Sequence, residues 1–247
     1  MTPATWTPQL AAMPPGWSPQ ILTLPGHGER RDTVFTAEKA LAEVMNAVRS
    51  LAPVHVVGQS LGGLLAQHAA ARAPLAVASL FLVSSVPVSA PGLRGIGPVM
   101  RAGGGLATRT PSRALRAAIA RMAGGQAGTR AFVAEALAAW SPGMIGAAVA
   151  EIASLLSPGP YPHLGVPTTV VTGSADRLGL GLIGPLNAGW AKSVEGVTHH
   201  VVPRARHNVN QDAPETVNAL LADHLASATN PSDPAKRSNR RMGASPR

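Results

Sequence analysis

The sequence predicts an α/β fold, with a mainly parallel sheet covered by helices on both faces and a helical insertion. Two observations carry this. Short β-branched runs bounded by turn residues alternate with helical stretches over most of the chain, the pattern of strand–helix units in a parallel sheet. Between residues 87 and 165 the alternation stops, and Ala- and Leu-rich stretches separated by Gly and Pro take over. At 247 residues and 45% hydrophobic content, the chain can bury a large core as one domain with an insertion or as two small domains.

The elements follow in order. Strands are expected at Gln20–Leu24, Val54–Val57, Ser79–Val83, Thr168–Thr172 and His199–Val202, so at least five are visible. A helix is expected over Thr36–Leu51, where Ala37, Ala40, Leu41, Val44 and Val48 fall close to helical spacing. A second follows the next strand at Leu61–Ala73. The last, Ala213–Ala226, opens on Asp212-Ala213-Pro214-Glu215: an N-cap acid, a first-turn proline and a glutamate three residues after the cap. The insertion holds three expected helices, near Ser112–Met122, Thr129–Trp140 and Met144–Leu156, and Gly103-Gly104-Gly105 reads as a flexible link. The organisation is thus a first core part at 1–86, a helical cap at 87–165, a second core part at 166–226, and a Pro/Ser/Asn/Arg-rich tail at 227–247, expected to be disordered.

Composition excludes several classes. Cysteine is absent, so disulfides, thiol catalysis and Cys-based zinc sites are out, and a cytoplasmic setting is the default. No apolar run reaches the ~18 residues of a membrane span, and no charged start followed by an apolar core marks a secretory signal. The net charge of +9 is localised: residues 87–165 carry seven arginines and two acids, the tail five basic residues and one acid. Solubility explains this charge, and so does attraction of an acidic partner. Nucleic-acid binding is not expected, because the tail lacks aromatic interleaving.

The chemistry sits in "VHVVGQSLGGLLAQHAA", residues 54–70. Gly58-Gln59-Ser60-Leu61-Gly62 fits Gly-x-Ser-x-Gly between a strand and a helix, a turn tight enough to strain the serine and project its hydroxyl from the sheet. The Leu61 amide, at the helix N-terminus, can stabilise an oxyanion. The plain alternative is an ordinary turn with a capping serine. A serine nucleophile needs a base, and the base needs an orienting carboxylate. Asp176 follows the strand Thr168–Thr172 in "GSAD", and His207 follows His199–Val202 in "PRARHN". The order Ser60, Asp176, His207 is that of elbow-type hydrolases.

These residues resemble the α/β-hydrolase superfamily over 4 to about 226. "LPGHG" at 24–28, "VHVVGQSLGG" at 54–63, "VVTGSAD" at 170–176 and "ARHNVNQDAPE" at 205–215 are similar to small carboxylesterases, among them the pimeloyl-carrier-protein methyl ester esterases of biotin synthesis. The resemblance implies ester hydrolysis by Ser60, Asp176 and His207 without metal or organic cofactor. It also implies an acyl pocket under the cap at 87–165, and a small-molecule or acyl-carrier-linked ester as substrate, with an acidic carrier protein as partner. Thioester hydrolysis and acyl transfer use the same triad. Two departures stand out. The family has a His-Gly loop after an early strand, which supplies a second oxyanion donor. Here the chain opens Met1-Thr2-Pro3-Ala4-Thr5-Trp6, so that loop and its strand are expected ahead of Met1, the chain reading as truncated. A truncated, catalytically weak ligand- or partner-binding protein is therefore the alternative. The second departure is Arg206, beside the expected base, where a smaller residue is commoner; it is expected to point to solvent. Trp140 and Trp190 are candidates to line the acyl pocket, with core packing as the alternative. His27 is a candidate for the site mouth or a turn.

Overall fold

In a computed structural model, which describes residues 2–178 and 181–229, four expected strands pair in parallel in one sheet. They are β1 (Val54–Gln59), β2 (Val77–Val83), β5 (Thr168–Gly173) and β6 (Val197–Val202), in the order β1-β2-β5-β6. The registers Gln59↔Val83, Val83↔Val171 and Gly173↔Val202 align their carboxyl ends on one edge. That edge is where open α/β sheets place their sites.

The central strands are buried on both faces because both are covered. Leu80, Leu82 and Val170 meet α2 (Ala37–Ser50), α3 (Leu61–Arg72) and Trp190 on one side. Phe81, Val83 and Val171 meet Val209, Val217, Leu221 and Leu225 on the other. Helix α2 buries Ala37, Ala40, Leu41, Met45 and Val48, and Thr36 caps it by accepting from Lys39 N at 3.2 Å. Three elements without strong periodicity complete this part: α1 (Thr7–Ala11), α8 (Ile183–Ser193) and α9 (Val209–Asp212).

The insertion leaves and rejoins the core through a two-stranded parallel pair, β3 (Ser89–Ala90) with β4 (Ser157–Pro158). Between them lie four helices, α4 (Ile96–Ala107), α5 (Ser112–Ala123), α6 (Ala127–Ala136) and α7 (Pro142–Ser154). Its α7 end is tied to the core by Glu151, whose carboxylate accepts from Ala37 N at 2.7 Å at the start of α2.

Four expectations are corrected. Gln20–Leu24 is not a strand. Its composition favours extension, but a ladder is a tertiary property; among the described residues the sheet ends at β1, which pairs with β2 alone, and Ile21 and Leu22 stay exposed. Gly103-Gly104-Gly105 is no link but part of α4. A Cβ on Gly104 would lie 2.9 Å from Gly146 O, and one on Gly146 would lie 2.7 Å from Gly104 O, so the glycines let α4 and α7 cross in backbone contact. Asp212 does not cap the last helix, α10 (Pro214–Thr229); it ends α9 and turns its carboxylate to the cap. Helix α10 also continues through 227–229, into the expected tail, while the expected disorder of 230–247 lies outside the described residues. Among the described residues no helix is long and apolar enough to cross a membrane.

Candidate active site

Ser60 follows β1 with φ 50 and ψ −114, a conformation non-glycine residues rarely adopt. Two bonds hold it there: Ser60 N donates to Val83 O at 2.9 Å, and Leu64 N donates to Ser60 O at 3.1 Å. Gly58 is sterically required, since a Cβ would lie 2.5 Å from Gly62 O. The second tight glycine is Gly63 rather than Gly62. A Cβ on Gly63 would lie 2.5 Å from Ser85 Cβ, whereas one on Gly62 would meet nothing within 4 Å. Leu61 is the first residue of α3, so its N–H belongs to the first turn, which has no intrahelical acceptor.

At the far side of the same edge, Asp176 and His207 come together. His207 Nδ1 lies 2.9 Å from Asp176 Oδ2, and both side chains are buried. Asp176 Oδ1 accepts from Leu178 N at 2.9 Å. The loops bearing them are zipped: Ser174 N donates to Val202 O and Ala175 N to Ala205 O, both at 3.0 Å, and Arg204 N donates to Ser174 Oγ at 2.9 Å. Gly173 permits this approach, because any Cβ there would strike Ala205 O and Arg206 O. With Nδ1–H directed at the carboxylate, Nε2 is left as the proton-accepting nitrogen. Ser60 Oγ and His207 Nε2 are not hydrogen-bonded to each other in this structure.

Ser84 is a residue that sequence reasoning missed. It follows β2 between these two parts of the edge, with φ 47, 1% exposure and no partner for its hydroxyl. Only its place at a strand end signalled it.

The two tryptophans separate. Trp140, on the cap, packs edge-on against His27 at 5.2 Å, and His27 in turn against Phe35 at 5.5 Å. The cap thus rests on the "LPGHG" loop. Burial, followed by the charge of the N-terminus, lowers the His27 pKa to about 4, although its Nδ1 bonds to Pro25 O at 2.8 Å. Trp190 is corrected: it has no exposed surface, lies in the main core and donates Nε1–H to Pro162 O at 2.9 Å, so it packs the sheet instead of lining an open pocket. Arg206 reaches the cap, where Nη1 donates to Arg121 O.

Comparisons with known proteins bear on the family and the fold. Residues 1–220 match the family described as the alpha/beta hydrolase family. The pimeloyl-[acyl-carrier protein] methyl ester esterase of Chromobacterium violaceum is 46% identical over 67 residues, 27% of this chain and 26% of that protein. The esterase of the same name from Xanthomonas campestris pv. campestris is 37% identical over 83 residues, 33% of this chain and 32% of its own length. The chain thus spans about a quarter to a third of the curated relatives it matches. A thermophilic esterase from Thermogutta terrifontis superposes with a TM-score of 0.67 at 19% identity, covering 91% of this chain and 85% of that one; this likeness is one of fold.

Proposed function

The chain belongs to the alpha/beta hydrolase family, and on that premise we propose that it is a serine hydrolase cleaving a carboxylic ester through an acyl-Ser60 intermediate. The observation that carries this is the buried His207–Asp176 pair at 2.9 Å on the same sheet edge as the strained Ser60.

In the mechanism, His207 Nε2 removes the Ser60 hydroxyl proton as Oγ attacks the ester carbonyl. The carbonyl oxygen gains negative charge, which the Leu61 N–H at the start of α3 stabilises. As the intermediate collapses, the C–O bond to the alcohol breaks and His207 returns the proton to the departing oxygen. Water then repeats the sequence on the acyl-enzyme, freeing the acid and Ser60. Asp176 holds the imidazole in the tautomer with hydrogen on Nδ1 and stabilises the imidazolium. A Ser60–His207 bond absent without substrate is no obstacle, since such bonds often tighten only in the complex.

The names of the two relatives, together with the cap's charge, support an acyl-carrier-linked methyl ester as substrate. Arg94, Arg101, Arg109, Arg113 and Arg121 are exposed, and of the two acids in that segment Glu151 is engaged with Ala37 N. Such a surface suits an acidic carrier. A cytoplasmic setting goes with this reading, and the same triad accommodates a thioester or an acyl acceptor other than water. Fluorophosphonate labelling and hydrolysis of a short p-nitrophenyl ester test the chemistry. Both should be lost in Ser60→Ala, the hydrolysis by about 10⁴-fold or more. A folded wild-type protein that takes no label would instead support ligand binding without catalysis. Replacing the five arginines by serine should slow carrier-linked ester hydrolysis more than free ester hydrolysis; equal losses would refute carrier docking.

A further inference from the structure

The residues flanking His207 are held from the cap as well as from the sheet. Arg206 N donates to Asp212 Oδ2 at 2.8 Å. Asn208 N donates to Ala123 O at 2.8 Å, supplying the last residue of α5 with an acceptor's partner that no helical amide provides. Asp212 also reaches across to the start of α6. Gly125 N lies 2.9 Å from Oδ1 and 2.7 Å from Oδ2, and Gln126 N donates to Oδ1 at 3.0 Å. Gln126, the N-cap of α6, makes no side-chain cap bond of its own, so Asp212 takes that role from a distant part of the chain. One carboxylate therefore caps a helix of the insertion and holds the amide next to the base.

The glycines at the junction fit this. A Cβ on Gly125 would lie 2.8 Å from Asp212 Oδ2, and one on Gly124 would lie 2.8 Å from Arg130 N. Arg130 Nη1 closes the turn on Gly125 O at 2.7 Å. A side chain at Gly125 would push away the carboxylate that the junction depends on.

The geometry points to Asp212 as a positioning residue that keys His207 to the α5–α6 junction, so that a shift of the cap at 121–126 moves the base. The inference rests on the reading of His207 as the base of a serine hydrolase. A displacement near 1 Å at a reacting group can cost about 10²-fold in rate. Asp212→Asn replaces one acceptor oxygen by an NH₂ facing N–H donors. It should lower kcat for a short soluble ester by about 10- to 100-fold and leave KM within about twofold. It should also move the downfield proton NMR signal of His207 Nδ1–H, which reads the contact with Asp176 without turnover. Gly125→Ala attacks the same contact from the cap with Asp212 intact, and should reproduce both effects in smaller size; it serves as the test if Asp212→Asn does not fold. Folded variants that lose thermal stability but keep wild-type kcat and the wild-type His207 signal would reduce Asp212 to a helix cap and overturn the inference. Should wild-type turnover prove independent of Ser60, the serine-hydrolase reading fails on its own, while the His207 signal still decides whether Asp212 sets the ring.

Discussion

The sheet and the cap are held by different means. In the sheet, large side chains from both faces fill the space between layers: Leu80, Leu82, Val83, Val170, Val171 and Trp190 have no exposed surface. In the cap, helices α5 and α6 bury only the small cluster Ala120, Ala123 and Val133, helices α4 and α7 meet backbone to backbone at Gly104 and Gly146, and Val99 and Leu106 remain 53% and 66% exposed. Its base joins the main core through the buried Val88, Leu155 and Leu164, and directional contacts add to this: Glu151 on Ala37 N, Asp212 on Gly125 N, and Trp140 on His27. Area burial thus dominates in the sheet and at the base of the insertion, while directional contacts hold the α5–α6 junction and Trp140. A region with few large buried side chains can open locally without unfolding the whole.

The sharpest way to break this contrast is to hollow the core. Phe81 is 1% exposed, and its ring also contacts His224 at 5.6 Å between centroids. Phe81→Ala should lower unfolding stability by about 3–5 kcal/mol, through lost transfer energy and the cavity left behind. Urea denaturation followed by circular dichroism measures it. A loss under 1 kcal/mol would mean that the sheet tolerates a hole as the cap would.

The same contrast governs what could be read beforehand. The placing of Ser60, Asp176 and His207 after strand ends on one edge was legible because each follows a β-branched run at a turn, and turn chemistry is local. Strands β1, β2, β5 and β6 were legible for the same reason. Gln20–Leu24 failed because pairing depends on a neighbour that composition does not report. The dual role of Asp212 was not legible, since its partners Gly125 and Gln126 lie 87 and 86 residues away and the local pattern pointed to an N-cap. The Gly104–Gly146 crossing was hidden likewise: a glycine run looks the same whether it bends freely or lets a second helix approach.

A smaller effect tests the core through pH. His224 is buried, with Nδ1 2.9 Å from Thr169 Oγ1 and Nε2 2.8 Å from Ser79 Oγ, which His55 also contacts at 2.7 Å. Burial, followed by the charge on His55, lowers its pKa from 6.5 to about 4. Between these values the unfolded chain binds the proton and the folded one does not. The stabilisation is therefore complete above about pH 7 and is lost as pH falls toward 4, by up to about 3 kcal/mol. Urea midpoints at pH 7 and pH 4.5 should converge in His224→Gln relative to the wild type. His27, lowered to about 4 as well, contributes in the same direction and leaves a remainder in the variant. An unchanged pH dependence in His224→Gln would remove His224 from the account.

The smallest effect should come from the cap itself. In Gly146→Ala the new Cβ would lie 2.7 Å from Gly104 O and 3.1 Å from Thr108 Cγ2. The first neighbour is backbone, so α4 and α7 must separate by a few tenths of an ångström. Overpacking of this kind costs about 1–3 kcal/mol in a closed core. Here the cost should fall at the low end, because α4 is open to solvent on its Val99 and Leu106 side and can move outward. Hydrogen exchange should accelerate in the amides of α4 and α7, while those of β2 and β5 keep their wild-type protection and the urea midpoint barely moves. Since the α5–α6 junction is held separately by Asp212, ester kcat should change less than in Asp212→Asn. If β2 and β5 lost protection together with α4 and α7, cap and sheet would be one cooperative unit, and the division between a sheet held by burial and a cap held in part by directional contacts would fail.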